Sequence, residues 1–151
     1  MSNRGSLAPD GLTHTPEELI ARYHKAMGGR PVALLEIDEY SVERIVARAR
    51  FEDGHTRPGG MVAGPMLFTL VDTIAYLSTI SRSPKGSEAF TTSISMEFLR
   101  PAPVGVCLSR EESFGSVEDL ASWIRRSAAA GGLVAHAVVI YVPVFPGNAQ
   151  M

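Results

Sequence analysis

Between Arg57 and Arg82 the chain carries one formally charged residue, Asp72, set in the middle of its most apolar stretch, Met61–Ile80. Almost any globular fold must bury a run of this kind, and Asp72 goes in with it. Burying an unpaired carboxylate costs several kcal/mol or drives its pKa strongly upward. The residue is therefore either paired or used. The Gly64-Pro65 step just upstream favours use. Proline suits the first turn of a helix, where its missing N–H costs nothing. The free N–H groups around such a start form a site for an anion or a developing oxyanion. Length and composition predict a helix from about Gly64 to Ser81, apolar nearly all round and so central in the fold. The run is also long enough to raise a membrane span. Gly64, Pro65, Thr69, Asp72, Thr73, Ser78 and Thr79 argue against one, as does the lack of flanking basic and aromatic anchors.

The 151 residues suit one domain with a real core. Residues 1–13, rich in Ser, Gly, Asn and Pro, read as a disordered lead-in to a single domain over 14–151. Thr15-Pro16-Glu17-Glu18 supplies an N-cap, a first-turn proline and a capping-box glutamate. Leu19, Ile20, Tyr23 and Met27 share one face of the helix that follows, and Gly28-Gly29 ends it. From Ala33 the pattern loosens, until Ile45, Ala47, Ala49 and Phe51 alternate with arginines as in a half-buried strand. Asp53-Gly54 and Pro58-Gly59-Gly60 make a long loop. Phe90–Leu99 is strand-like, with Thr92, Ile94, Met96 and Phe98 in register. A strand resumes over Val104–Glu111, and 133–144 is the clearest β run. Residues 116–128 fit helix or strand; a hairpin link at 129–132 favours strand.

A net charge of −2 gives no electrostatic reason to expect nucleic acid or an anionic membrane as partner. Cys107 is the lone cysteine, which excludes an internal disulfide and any cysteine-based metal framework. A cytoplasmic setting fits this, and no signal-peptide pattern opens the sequence. His24 and His55 lack acidic or cysteine partners at metal spacing, so neither a metal nor a cofactor is expected.

A strand, a long buried helix and a run of antiparallel strands is the layout of the hot-dog fold. The stretch Gly64-Pro-Met-Leu-Phe-Thr-Leu-Val-Asp72-Thr73 resembles the helix motif of PaaI-type acyl-CoA thioesterases, whose usual form is His-Gly-Gly, four residues, Leu, one residue, Asp. Phe98-Leu-Arg-Pro-Ala102 resembles the segment that follows in that family, and Leu133-Val-Ala-His136 leading into Tyr141 resembles its closing strand. The resemblance spans about residues 33–144. It implies an α+β hot-dog fold, with a long central helix wrapped by an antiparallel sheet and here an extra N-terminal helix. It further implies Asp72 as the catalytic carboxylate, the Gly64 N–H as carbonyl polariser, and Thr91 near a hydroxyl that orients water or the carboxylate. Ala63 stands in place of the motif histidine and Pro65 in place of the second glycine. Arg57 or Pro58 occupies the place of an upstream asparagine.

The expected activity is hydrolysis of an acyl-CoA thioester to free acid and CoA. A helix start can polarise the carbonyl, and a desolvated carboxylate can act as general base or transient acyl acceptor. Eight residues of helix separate Gly64 from Asp72 by about 12 Å, so one chain cannot bring both to one carbonyl. In hot-dog dimers Gly64 would meet Asp72 of the partner subunit. A homodimer is therefore expected, paired again into a homotetramer, with the 90–99 strand and the final strand among the interface elements. Arg57, Pro65, Met66, Arg82 and Arg100 are the candidate substrate-binding residues. The arginines suit CoA phosphates, with plain surface charge as the competing reading. His136, in an apolar strand, reads as a core or interface residue. A hot-dog hydratase would want a histidine on or beside the central helix, and none lies between His55 and His136. A catalytically silent acyl-CoA binder is the remaining alternative, raised by Ala63 and Arg57.

Overall fold

The computed structural model describes residues 8–28, 34–113, 119–126, 132–145 and 147. Helix α1 (Pro16–Ala26) starts on the expected reciprocal cap. The Glu18 N–H donates to the Thr15 hydroxyl at 3.2 Å, and the Thr15 N–H donates to Glu18 Oε2 at 2.8 Å. Helix α2 (Gly64–Ser81) buries Leu67, Leu70, Val71, Ile74 and Leu77 among others. Several of its hydroxyls are absorbed locally. Thr69 donates to the Pro65 carbonyl at 2.8 Å and Thr79 to that of Ala75 at 2.9 Å, the back-bonding that lets polar residues enter an apolar helix.

Among the described residues six strands form one antiparallel sheet. They are β1 (Leu34–Tyr40), β2 (Arg44–Phe51), β3 (Glu88–Phe98), β4 (Gly105–Ser113), β5 (Asp119–Arg126) and β6 (Leu133–Val144). Their spatial order is β1-β2-β4-β5-β6-β3, so β1 and β3 are the edges and β6 is interior. Helix α2 lies across one face and touches β2, β3, β4, β5 and β6. The core forms between them, with Ile45, Ala47, Ala49 and Phe51 of β2 and Ala135, Ala137, Val139 and Tyr141 of β6 turned inward. Asp119–Arg126 is a strand, as the hairpin argument required; residues 116–118 and 127–128 lie outside the described part.

Three features depart from expectation. Strand β1 was not legible, because Leu-Leu-Glu-Ile-Asp-Glu-Tyr has no clean alternation and sits at a sheet edge with most residues exposed or half-buried. The lead-in boundary at residue 13 is corrected: Leu12 is buried and Thr13 clamps the end of α2. Its N–H donates to the Ser81 carbonyl at 2.8 Å and its hydroxyl to the Ser83 carbonyl at 2.6 Å. The last carbonyls of a helix need donors, and here they recruit a distant segment. Residues 1–7 lie outside the described part. Finally, Thr92 is not in register with Ile94. Thr91 pairs with Tyr141 and Ser93 with Ile140, which leaves Thr92 as the extra residue of a β-bulge. Odd positions Ala89 and Thr91 therefore face the helix before the bulge, and even positions Ile94 and Met96 face it afterwards.

Candidate active site

The register of β3 against β6 sets the surroundings of Asp72. Thr91 and Tyr141 are directly opposed on β3 and β6, and both hydroxyls reach the same carboxylate oxygen. Thr91 Oγ1 donates to Asp72 Oδ1 at 2.6 Å, and the Tyr141 hydroxyl donates to it at 2.5 Å. The tyrosine hydroxyl also lies 3.0 Å from the Asp72 carbonyl oxygen. Burial, reinforced by the neighbouring Asp72 carboxylate, holds the Tyr141 hydroxyl far above its ordinary pKa, so it remains a donor. Asp72 Oδ2 takes no hydrogen bond among the described residues. The carboxylate is half-buried, aimed by two donors, and left with one oxygen available for a proton or an electrophile. No cation pairs with it among the described residues.

At the other end of the site, the first turn of α2 leaves one amide unspent. Ala63 N–H donates to the His55 carbonyl at 2.9 Å, Met66 and Leu67 N–H reach back to the Ala63 carbonyl, and Pro65 has no N–H. The Gly64 N–H has no intrachain acceptor among the described residues. Ala63, at the N-cap, offers no side-chain cap. A methyl group added at Gly64 would meet only the Phe98 ring, at 3.6 Å, an ordinary contact. Packing within the protomer therefore does not demand glycine here.

Gly64 opens onto a groove of about 640 Å³. Met61, Leu67, Phe98 and Leu99 supply apolar wall, and Arg57 and Arg100 supply charge. Two local devices build it. Gly59 and Gly60, at φ +104° and +77°, turn the chain so that the Arg57 N–H reaches the Met61 carbonyl at 2.9 Å. The Val62 N–H then donates to the Ala102 carbonyl at 2.7 Å, stitching this turn to the segment after β3. Arg100 is partly spent, donating to the Leu133 carbonyl at 3.0 Å; Arg57 has no side-chain partner among the described residues.

The structure brings Gly64, Arg57 and Arg100 to one groove, and Asp72 and Thr91 to one hydrogen-bonded cluster. It places the other three candidates elsewhere. Pro65 is exposed beside the groove. Met66 faces a small void with Tyr23, Leu35, Phe51 and Leu70. Arg82 is turned into the protein, its guanidinium nitrogens buried without a hydrogen-bond partner among the described residues. Burial lowers its pKa, offset in part by the nearby Glu111 and Tyr40. Glu111 is fully buried, and neither carboxylate oxygen closes a hydrogen bond among the described residues. Burial pushes its carboxyl up to about 8, against smaller opposing effects of Ser78 and Arg82.

Sequence reasoning assigned no role to Tyr141 or Glu111. The alternation of the last strand puts Tyr141 on the same face as Val139 and Ala137, which was the available signal. Glu111 gave none, since Arg-Glu-Glu-Ser reads as a solvated strand.

Residues 59–110 match the family model of the thioesterase superfamily. No curated protein matches the chain. Among solved structures, a thioesterase from Haemophilus influenzae superposes with a TM-score of 0.71 at 18% identity, over 92% of this chain and 96% of that one. A phenylacetic acid degradation-related protein from Ralstonia eutropha gives 0.60 at 20% identity, over 78% and 96%. A Streptococcus mutans protein solved with acetyl-CoA gives 0.65 at 18% identity, over 77% and 93%. Identities this low carry the fold alone. The fold is the hot-dog fold, and the match to the thioesterase superfamily model covers residues 59–110.

Proposed function

We propose that this chain is a PaaI-type acyl-CoA thioesterase, hydrolysing a thioester to free acid and CoA. The observation that carries the reading is the Asp72 carboxylate, with Oδ1 held by Thr91 and Tyr141 and Oδ2 left open. Water adds to the thioester carbonyl, Asp72 takes its proton, and the thiolate leaves to be protonated as CoA; alternatively Asp72 itself accepts the acyl group and water then cleaves the anhydride. The Gly64 N–H serves the developing oxyanion, a contribution worth about 3–4 kcal/mol at such sites. Because α2 holds Gly64 and Asp72 about 12 Å apart, the functional unit is a homodimer in which Gly64 meets the partner's Asp72. The exposed edge strand β3 supports that pairing. Arg57 and Arg100, both lining the groove beside Gly64, are the contacts this reading gives to the phosphates of CoA. No helix among the described residues is long and apolar enough to cross a membrane, and the reading sets the protein in the cytoplasm.

The uncapped Ala63 favours a second reading, acyl-CoA binding without turnover. A steady-state assay of wild type and Asp72→Asn on a panel of acyl-CoAs separates the two. The substitution keeps size and removes charge and basicity, so kcat should fall by at least about 10²-fold while the dimer stays folded. Near-wild-type turnover in a folded variant would end the mechanism. An inert wild type that still binds acyl-CoA would leave the binder.

A further inference from the structure

Helix α2 is central, yet one stripe of it is left uncovered within the chain. Pro65 and Phe68 are exposed, and Thr69, Asp72 and Tyr76 are half-buried, at the three- and four-residue spacing of one helical face. Phe68 is 41% exposed, although every leucine, isoleucine and valine of the same helix is buried. Between Gly64 and Asp72 the helix offers no free polar side chain. The single hydroxyl there, that of Thr69, is spent on the Pro65 carbonyl at 2.8 Å. On the other side of Asp72 the helix is pinned by polar contacts. The Tyr76 hydroxyl accepts from Arg22 Nη2 at 2.9 Å and donates to Glu88 Oε2 at 3.1 Å.

Symmetry then locates Phe68. In a two-fold dimer where Gly64 meets the partner's Asp72, Asp72 also meets the partner's Gly64. The two helices must run antiparallel, and the axis passes the residue midway between those positions, which is Phe68. We infer that Phe68 and the partner subunit's Phe68 form a shared floor between the two acyl slots and restrict the substrate to a short, apolar acyl group. The inference rests on the two-chain thioesterase site proposed above. The groove with Arg57 and Arg100 opens at the N-terminal end of α2, so the partner's copy of it lies on the far side of Asp72 from the axis. CoA leaves the site on that side, and the acyl group runs the other way, toward Phe68. From Asp72 to the axis is half the Gly64–Asp72 span, about 6 Å of helix, the length of an extended chain of roughly six carbons. A longer chain must displace the ring or enter the other slot. A polar acyl terminus would be buried there without a hydrogen-bond partner from the helix, which is costly.

Two measurements test this, one of them blind to catalysis. In a Cys107→Ser background, Phe68→Cys should give a disulfide-linked dimer on mild copper-catalysed oxidation, since residues at the axis bring their Cα atoms within about 7 Å. A folded dimer that does not cross-link puts Phe68 off the axis and overturns the inference. The second measurement is kcat/KM over straight-chain acyl-CoAs from acetyl to dodecanoyl. Wild type should lose at least about tenfold between hexanoyl and decanoyl, and Phe68→Ala should recover that ratio by at least about tenfold. Phe68→Trp should move the limit to shorter chains, which keeps the test decisive if the alanine variant misfolds. A wild type that prefers dodecanoyl-CoA, or substitutions that leave the chain-length profile unchanged, overturns the inference. A wild type that binds acyl-CoAs without turnover ends the thioesterase reading alone. The Kd values over the same series, by calorimetry, must then show the same limit and the same shifts. A wild type that sediments as a monomer defeats the two-chain site and this inference with it.

Discussion

Two hydroxyls on a single oxygen give Asp72 a fixed orientation with no cation beside it among the described residues, the arrangement that the proposed base or nucleophile needs. A lysine or arginine in their place would satisfy the buried charge and spend it. Glu111 shows the opposite arrangement, a carboxyl buried without a hydrogen bond among the described residues and pushed up to about 8. In the unfolded chain it titrates near its ordinary 4.5. Between those two values the folded state holds a proton that the unfolded state has released. Stability therefore falls as pH rises from about 4.5 to about 8, by at most about 1.4 kcal/mol per pH unit. Glu111→Gln cannot ionise, so its stability should decline less across the same window. Urea unfolding of both proteins at pH 5 and pH 8 checks this, and parallel declines would show that Glu111 ionises in the folded state without penalty.

At the scale of elements, β3 carries two inner-face frames joined by one extra residue. Removing Thr92 should restore a regular ladder, with Thr91 still opposite Tyr141 and Ser93 opposite Ile140. The cost is the local twist and the hydroxyl bond from Thr92 to the Ile140 carbonyl, about 1–2 kcal/mol. Removing Ser95 instead should turn Met96 and Phe98 to the outer face, since side chains alternate strictly along a strand. That should cost more than about 4 kcal/mol. Thermal or denaturant unfolding of the two deletion variants ranks them, and equal losses would mean the bulge itself is structurally required. Helix α2 was legible because its signals are local: Pro65 in the first turn, an unbroken apolar run, and Ser83-Pro84 beyond the end. Strand β1 was not, because an edge strand answers to one neighbour and needs no alternation. The bulge escaped too, since nothing in Phe-Thr-Thr-Ser-Ile says which residue goes unpaired.

For the whole molecule, the question is whether one site draws on two chains. Gly64→Val puts a branched side chain against Phe98 at the groove and should abolish turnover, as should Asp72→Asn. If each site joins Gly64 of one protomer to Asp72 of the partner subunit, a heterodimer of the two variants contains one intact site. Random one-to-one mixing would then restore about a quarter of wild-type activity per chain. Co-expression of differently tagged variants followed by acyl-CoA assay measures it. No recovery would place both groups in one chain's own site. By itself the sequence determined the helix that carries the candidate site and the carboxylate on it, because both follow from local rules: capping, hydrophobic run length and the cost of burying charge. It also placed Thr91 near the site, though only through family resemblance. The tertiary structure alone decided that Tyr141 shares Asp72 with Thr91, that Arg82 turns inward near Glu111, that Leu12 is buried and that Thr13 clamps the end of α2. Each of those depends on which strands become neighbours and in what register, and a register is a property of pairs of segments that no single segment encodes.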